Sequence, residues 1–306
     1  MTYNSDAVIG RCLDSCRDLP VVVVDNASQD NTRELVERRK TVKLIANRTN
    51  RGFAGAVNQG VAELDTSLIL ALNPDVELET PIEALELACL EGGAGLAGGR
   101  LVDPKGNDQT GFTLRRFPTP LTLVFEVLGI NRMIPPNPVN RRYRCLDLDL
   151  SKPREVDQPP GALLMFRRDV WQQLGGFDTQ FRPVWFEDVD FCKRARDSGV
   201  RIQYVPSVTG RHQGGHSLAG LDWAQREVFW YVSLLKYASK HFPPYAYRGV
   251  GAAVVLGSLL RSVIGMVRWR NLRPLQVYVK IARFAASSLV YGRVGEGDLL
   301  GVMARP

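Results

Sequence analysis

The stretch at residues 20–26, PVVVVDN, most constrains what this chain can fold into. Four consecutive β-branched valines leave no polar face, so a strand made from them is buried on both sides. It needs helices above and below, and helical patterns stand on either side of it. AVIGRCLDSC precedes it, and TRELVERRK follows, with Asp30 or Asn31 placed to cap. A short strand in VKLIAN, a glycine-rich helix start in NRGFAGAVNQGVAEL and a second buried strand in SLILALN continue the alternation. This βα rhythm predicts a parallel sheet covered by helices.

Beyond it, residues 112–160 are rich in Pro, Arg and Asn and read as loops over one face of the sheet, with a helix in LTLVFEVLG. Order returns with GALLMF as a strand and RRDVWQQLGG as a short helix closed by glycine. An acidic stretch then opens a helix ending near Gly199, RIQYVP forms one more strand, and the chain reads as helical from Asp222. Its five cysteines (Cys12, Cys16, Cys89, Cys145, Cys192) are scattered without paired spacing, so neither a disulfide framework nor a zinc site is expected. No charged segment followed by an apolar one opens the chain, and the expected location is the cytoplasm.

Of 39 basic residues against 32 acidic ones, all the excess positive charge sits in the tail. There GVGAAVVLGSLLRSVIGMV is apolar except for Arg261, which would cost about 2.5 to 3.5 kcal/mol at a bilayer centre. A helix lying on an anionic membrane surface is the preferred reading. A helical hairpin packed on its own core, or on a second copy in a homodimer, is the alternative. Nothing in the pattern points to nucleic acid.

Two strands end in acids: VVVV in Asp25-Asn26 and LILAL in Asn73-Pro74-Asp75. An isolated Asn-Pro-Asp is a turn signal, but ligands of open α/β sheets bind beyond the carboxyl ends of the strands, and two acids at one edge point to a site. At a strand end Asp25 has the chemistry to accept hydrogen bonds from a base or a ribose. Gly52 and Gly55 allow close backbone approach at a helix start. Glu187, Asp188 and Asp190 crowd three carboxylates into four positions. Such a cluster either caps a helix or carries a proton acceptor.

Taken together and in order, TYN at residues 2–4, VVVVDNASQDNT, NRGFAGAVNQG, LALNPDVEL, GALLMFRRDVW, GGFDTQFRPVWFEDVDFCKRARDSG and RHQGGHS resemble the motifs of inverting family 2 glycosyltransferases. The forms NPDV and EDVDF resemble the rhamnosyltransferase-like branch, which builds cell-surface polysaccharides. The likeness covers about residues 1–220. It implies a GT-A fold, a Rossmann-like mixed sheet flanked by helices, with a helical C-terminal extension at residues 221–306. Residues 1–111 would form the nucleotide-sugar half and 112–220 the acceptor and catalytic half.

The resemblance further implies a dTDP- or UDP-linked donor, a saccharide or polyprenyl-diphosphate-linked acceptor, and a divalent cation, Mg2+ or Mn2+. Tyr3, Asn4, Asp25, Asn26, Asn50, Gly52, Phe53, Asn58 and Asn73 would bind the nucleotide sugar. Asp75 and His212 would hold the metal, with His216 a nearby competitor. Inversion by single displacement needs a base on the acceptor side, and Asp188 is assigned that role. Glu187 would orient the acceptor or tune the base, while Asp190, two positions on, would face structure. Gly161, Asp178 and Trp185 would line the acceptor site, and the enzyme would work at the inner face of the cell membrane.

One departure matters: family members carry several apolar residues before T-Y-N, and here only Met1 precedes it, so either the numbered sequence lacks the true start or the first strand is a stub; a missing central strand would expose sheet edges. Two rival readings follow. A nucleotidyltransferase would need a basic glycine-rich loop beside VVVVDNAS, which is not there; a non-catalytic membrane scaffold would bind no nucleoside diphosphate.

Overall fold

The computed structural model describes residues 1–214 and 220–291, which leaves Gly215, His216 and Ser217 outside the described residues. In chain order the elements are α1 (Asp6–Ser15), β1 (Val21–Asp25), α2 (Thr32–Glu37), β2 (Val42–Ala46), α3 (Gly52–Ala62), β3 (Leu68–Leu72), β4 (Val76–Leu78), α4 (Glu83–Leu90) and β5 (Leu96–Val102). Next come α5 (Pro120–Val127), α6 (Ile130–Met133), α7 (Pro138–Tyr143), β6 (Arg154–Glu155), β7 (Leu163–Arg167), α8 (Arg168–Gln173), α9 (Glu187–Asp197) and β8 (Ile202–His212). The chain ends in α10 (Trp223–His241), α11 (Pro244–Trp269) and α12 (Arg273–Tyr291).

The chain divides into two compact units. The first holds residues 1–117, 144–183 and 187–220; the second holds 118–143, 184–186 and the chain from Leu221 onward. The segments 118–143 and 184–186 thus group with the tail.

In the first unit the sheet is mixed, not parallel. β1 and β2 pair in parallel, and β3-β7-β5-β8-β4 form a larger sheet in which only β5 and β8 run parallel. β7 lies antiparallel between β3 and β5. Helix-by-helix alternation already lapses between β3 and β4, which no helix separates, and it ends after β5, so the argument for all-parallel pairing does not hold. β5 itself, LAGGRLV, is easily overlooked because two glycines weaken its strand signal. Packing explains them: a Cβ on Gly98 would lie 2.2 Å from Pro159, and one on Gly99 would lie 2.5 Å from Leu163. β8 also runs past the expected RIQYVP to His212: after a register shift it resumes pairing with β5 at Thr209 and takes β4 on its other side over residues 210–212.

β1 and β3 each leave one edge without a strand among the described residues. Thr2 alone begins to fill the gap, with its N–H donating to Val24 O and its carbonyl accepting from Asn26 N, both at 2.9 Å. Between the two edges lies a cavity of about 480 Å³ lined by Val22, Val24, Leu68, Leu70 and Leu72 together with Ile9 and Leu13 of α1.

The second unit is helical; in residues 112–160 α5 falls on the expected LTLVFEVLG, and α6 and α7 add helix where loop was expected. Arg261, in the apolar run of α11, donates to the carbonyls of Val127 and Glu126 at the C-terminal end of α5. The carbonyls of a helix's last turn lie beyond its intrahelical bonding; Glu126 O also accepts from Gly129 N at 3.1 Å, and the Arg261 cation caps this helix end. Gly257, one turn earlier, makes this crossing close: a Cβ there would sit 2.3 Å from Val127 O.

Candidate active site

The acidic helix α9 is fixed before its acids are considered. Phe191 stacks on Phe177 at 4.2 Å between centroids, and Phe166 meets both rings edge-on. Asp190 is fully buried and pairs with Arg194 at 2.7 Å; Arg194 also donates to the carbonyls of Leu174 and Gly176. Asp190 therefore faces structure, tying α9 to the turn before it.

With α9 anchored, Asp188 stands half-buried at its first turn. One carboxylate oxygen accepts from its neighbour Val189 N at 2.8 Å, and the other accepts from Gly161 N at 3.0 Å. A Cβ on Gly161 would press on Phe53 at 3.2 Å and on Asp188 Cβ at 3.3 Å, so glycine is what admits the carboxylate here. Next to it, Ala162 O accepts from Asn73 N at 3.0 Å. Adjacent peptide units ahead of β7 thereby join the proposed base to the strand end carrying Asn73-Pro74-Asp75.

Glu187 is 5% exposed, and one of its carboxylate oxygens is buried without a partner. Burial first, and the Asp188 carboxylate second, hold its pKa well above the usual carboxylate range. Burial therefore favours its neutral form. That environment fits tuning of Asp188 better than direct contact with a solvated acceptor.

β4 pairs with β8 so that Val76 lies opposite His212, and this register sets Asp75 beside the imidazole. His212 Nε2 stands 3.5 Å from Asp75 Oδ2, and Asp75 Oδ1 is buried with no hydrogen-bond partner. Both residues are at most 5% exposed. Burial lowers the His212 pKa against the opposing pull of Asp75, which favours the neutral ring. A neutral ring nitrogen and an orphaned carboxylate oxygen suit a hard divalent cation as a partial ligand set. Among the described residues no group of three or more His, Cys, Asp or Glu gathers to hold a metal unaided.

At the other strand end, Asp25 is fully buried; Arg33 Nε at 2.6 Å and Ser28 N at 3.1 Å occupy one oxygen, and the other has no partner. Arg33, on α2, is a residue the sequence reading missed. Its only signal was a basic residue eight positions after a strand-end acid. Asn4 takes a left-handed backbone (φ 47°), receives Gln29 N on its side chain and donates its own N–H to Ser28. Tyr3, beside it, is half-buried.

Asn26 donates to Gly52 O and accepts from Asn47, Asn50 accepts from Gly52 N, and Phe53 N donates to Pro183 O. Gly52 has φ 75° and stands against Pro183 O, so only glycine fits. These residues form one continuous edge. Asn58 is different: its amide engages Trp171 Nε1 and both backbone groups of Phe177, bracing α3 against the Gly-Gly-Phe turn. The Asp178 side chain accepts from Gln180. Trp185 belongs to the second unit.

With this geometry in place, the chain was compared with known proteins. Residues 1–175 match the family described as Glycosyl transferase family 2, and residues 141–228 match Glycosyltransferase like family 2. The chain belongs to glycosyl transferase family 2. This glycosyltransferase is 32% identical over 237 residues to the N-acetylglucosaminyl-diphospho-decaprenol L-rhamnosyltransferase of Mycobacterium tuberculosis (strain ATCC 25618 / H37Rv), covering 71% of this chain and 75% of the relative. It is 26% identical to the low-salt glycan biosynthesis hexosyltransferase Agl10 of Haloferax volcanii, covering 62% of this chain and 58% of that protein. Its fold is GT-A: the mannosyltransferase PcManGT from Pyrobaculum calidifontis, solved with GDP-Man and Mn2+, superposes with a TM-score of 0.50 over 95% of this chain and 85% of that one, at 17% identity.

Proposed function

We propose that this glycosyltransferase transfers a deoxyhexose such as L-rhamnose, with inversion, from a dTDP- or UDP-linked donor to a saccharide carried on a lipid diphosphate, using Mg2+ or Mn2+. The observation that carries the reading is the pair of bonds at the head of β7, Gly161 N to Asp188 and Asn73 N to Ala162 O, which brings the carboxylate of α9 to the strand end bearing Asp75.

Asp188 accepts the proton of the acceptor hydroxyl as that oxygen bonds to the anomeric carbon, and the bond from that carbon to the diphosphate oxygen breaks. The electron pair leaves with the nucleoside diphosphate. Val189 N and Gly161 N aim the carboxylate without neutralising it, and a neutral Glu187 keeps a second negative charge away. Asp75 and His212 would hold the divalent cation, whose charge stabilises the departing diphosphate. Asp25, Asn26 and the edge from Asn50 to Phe53 form the nucleoside side of the site.

The printed activity of the M. tuberculosis relative supports the sugar and the lipid-diphosphate acceptor, and the Mn2+ of the mannosyltransferase complex supports the cation. In this reading residues 1–220 carry catalysis, and residues 221–306 meet the inner face of the cell membrane, where a lipid-linked acceptor resides.

The test is a donor screen that measures nucleoside diphosphate release with a lipid-linked acceptor. A base of this kind contributes about 10² to 10⁴ in rate. Asp188→Asn is therefore expected to lose transfer by about 10²-fold or more while keeping donor affinity. Normal turnover by Asp188→Asn would remove Asp188 as the base. The gap between β1 and β3 favours one second reading, a non-catalytic scaffold, which the absence of any thermal shift with nucleoside diphosphate plus Mn2+ would support.

A further inference from the structure

We propose that Gln109 is a positioning residue that fixes the tautomer of His212 with its proton on Nδ1, so that the Nε2 lone pair is presented beside Asp75 to a divalent cation. The inference deepens the cation-dependent reading above and rests on it.

The argument starts from one carbonyl. Gln109 Nε2 donates to the backbone carbonyl of His212 at 2.8 Å. A carbonyl only accepts, so this bond decides which way the Gln109 amide points. Its Oε1 then faces His212 Nδ1, also at 2.8 Å. Oε1 has no proton to give, so Nδ1 must supply one. In a neutral imidazole the other nitrogen is then bare.

That nitrogen stands 3.5 Å from Asp75 Oδ2, too far for a good hydrogen bond. Asp75 Oδ1 is buried and unpartnered as well. Electron-rich atoms facing one another in a buried pocket repel unless positive charge comes between them.

The ring has no freedom to turn away. Phe112 stacks on it at 5.1 Å with an interplanar angle of 16°. Gln109 and Phe112 come from the same turn after β5, in which Phe112 N and Thr113 N both donate to Gln109 O while Gln109 N donates to Leu101 O. One short turn thus holds the imidazole by its backbone, one ring nitrogen and one face. This is how a partner behind a metal-bound histidine selects which nitrogen meets the ion.

The chain has three histidines, so nitrogen-15 NMR resolves His212 by comparison with His212→Gln. In the cation-free full chain, His212 is expected as the Nδ1–H tautomer, and Gln109→Met is expected to lose that preference while keeping the thermal stability of a folded chain. Mn2+ titration followed by electron paramagnetic resonance, with and without UDP, is expected to show affinity about 10- to 100-fold weaker in Gln109→Met. Gln109→Glu, which keeps an acceptor at Nδ1, is expected to restore most of it. An Nε2–H tautomer or a doubly protonated ring in the wild type overturns the inference. Equal Mn2+ affinity in wild type and Gln109→Met sinks the inference alone, whereas a wild type that binds no Mn2+ sinks the cation-dependent reading together with it.

Discussion

At the residue scale, three neighbouring carboxylates have three fates. Asp190 is buried and paired, Asp188 is half-exposed and aimed, and Glu187 is buried and neutral. Glu187 makes a prediction about stability. Its pKa is raised on folding, so the native state holds its proton to higher pH than the unfolded state does. Stability then falls as pH rises above the ordinary carboxyl pKa, by up to about 1.4 kcal/mol per pH unit, until the folded pKa is passed. Glu187→Gln keeps the shape and removes the titration. Its denaturation midpoint is expected to exceed that of wild type at pH 7 and to match it near pH 4, with a flatter profile between. Parallel profiles would mean that Glu187 is not held neutral. The cluster at 187–190 was plain in the sequence, but the division of labour was not. It depends on Gly161, Arg194 and the phenylalanine stack, all distant along the chain or hidden in packing.

At the element scale, strands and helices with a clear period were legible, such as β1 in PVVVVDN and α9 after its acids. β5 was not, because its glycines report a close approach by Pro159 and Leu163 that exists only in three dimensions. α11 shows the same limit. In sequence Arg261 is a charge in the middle of an apolar run, yet in the fold it caps α5 while Ser258 and Ser262 turn inward. The opposite face exposes Leu256, Leu260, Val263, Ile264 and Val267, the last at 74% exposure. Residues 243–291 hold Arg and Lys but no Asp or Glu. An apolar stripe edged only by positive charge suits an anionic lipid surface. Sedimentation with vesicles of phosphatidylglycerol and phosphatidylcholine is expected to pull the full chain down and to lose it as salt rises. Replacing Val263 and Val267 by Gln is expected to weaken binding by about tenfold or more, given about 1.5 kcal/mol for each buried side chain. Equal binding of the double variant would exclude this face as the contact.

At the scale of the whole molecule, a mostly apolar cleft of about 480 Å³ lies between the open edges of β1 and β3. Met1 lines it. Thr2 already sits in parallel register with β1, so an extended segment fused ahead of Met1 would run between both open edges and pair with each. Every buried Val or Ile side chain contributes about 1.5 to 3 kcal/mol, against about 1 to 2 kcal/mol to order each residue. The strand hydrogen bonds and the closed cavity add to the favourable side. A net gain of about 2 kcal/mol corresponds to a Tm rise of about 4 to 8 °C at this size. A fused segment of six Val and Ile residues is therefore expected to raise Tm by that much, to protect the amides of β1 and β3 from hydrogen exchange and to suppress binding of an apolar dye. A Gly-Ser segment of equal length is expected to change none of these. Should both segments leave Tm and exchange untouched, the cleft is not a place for a strand, and the two edges are stabilised by some other means.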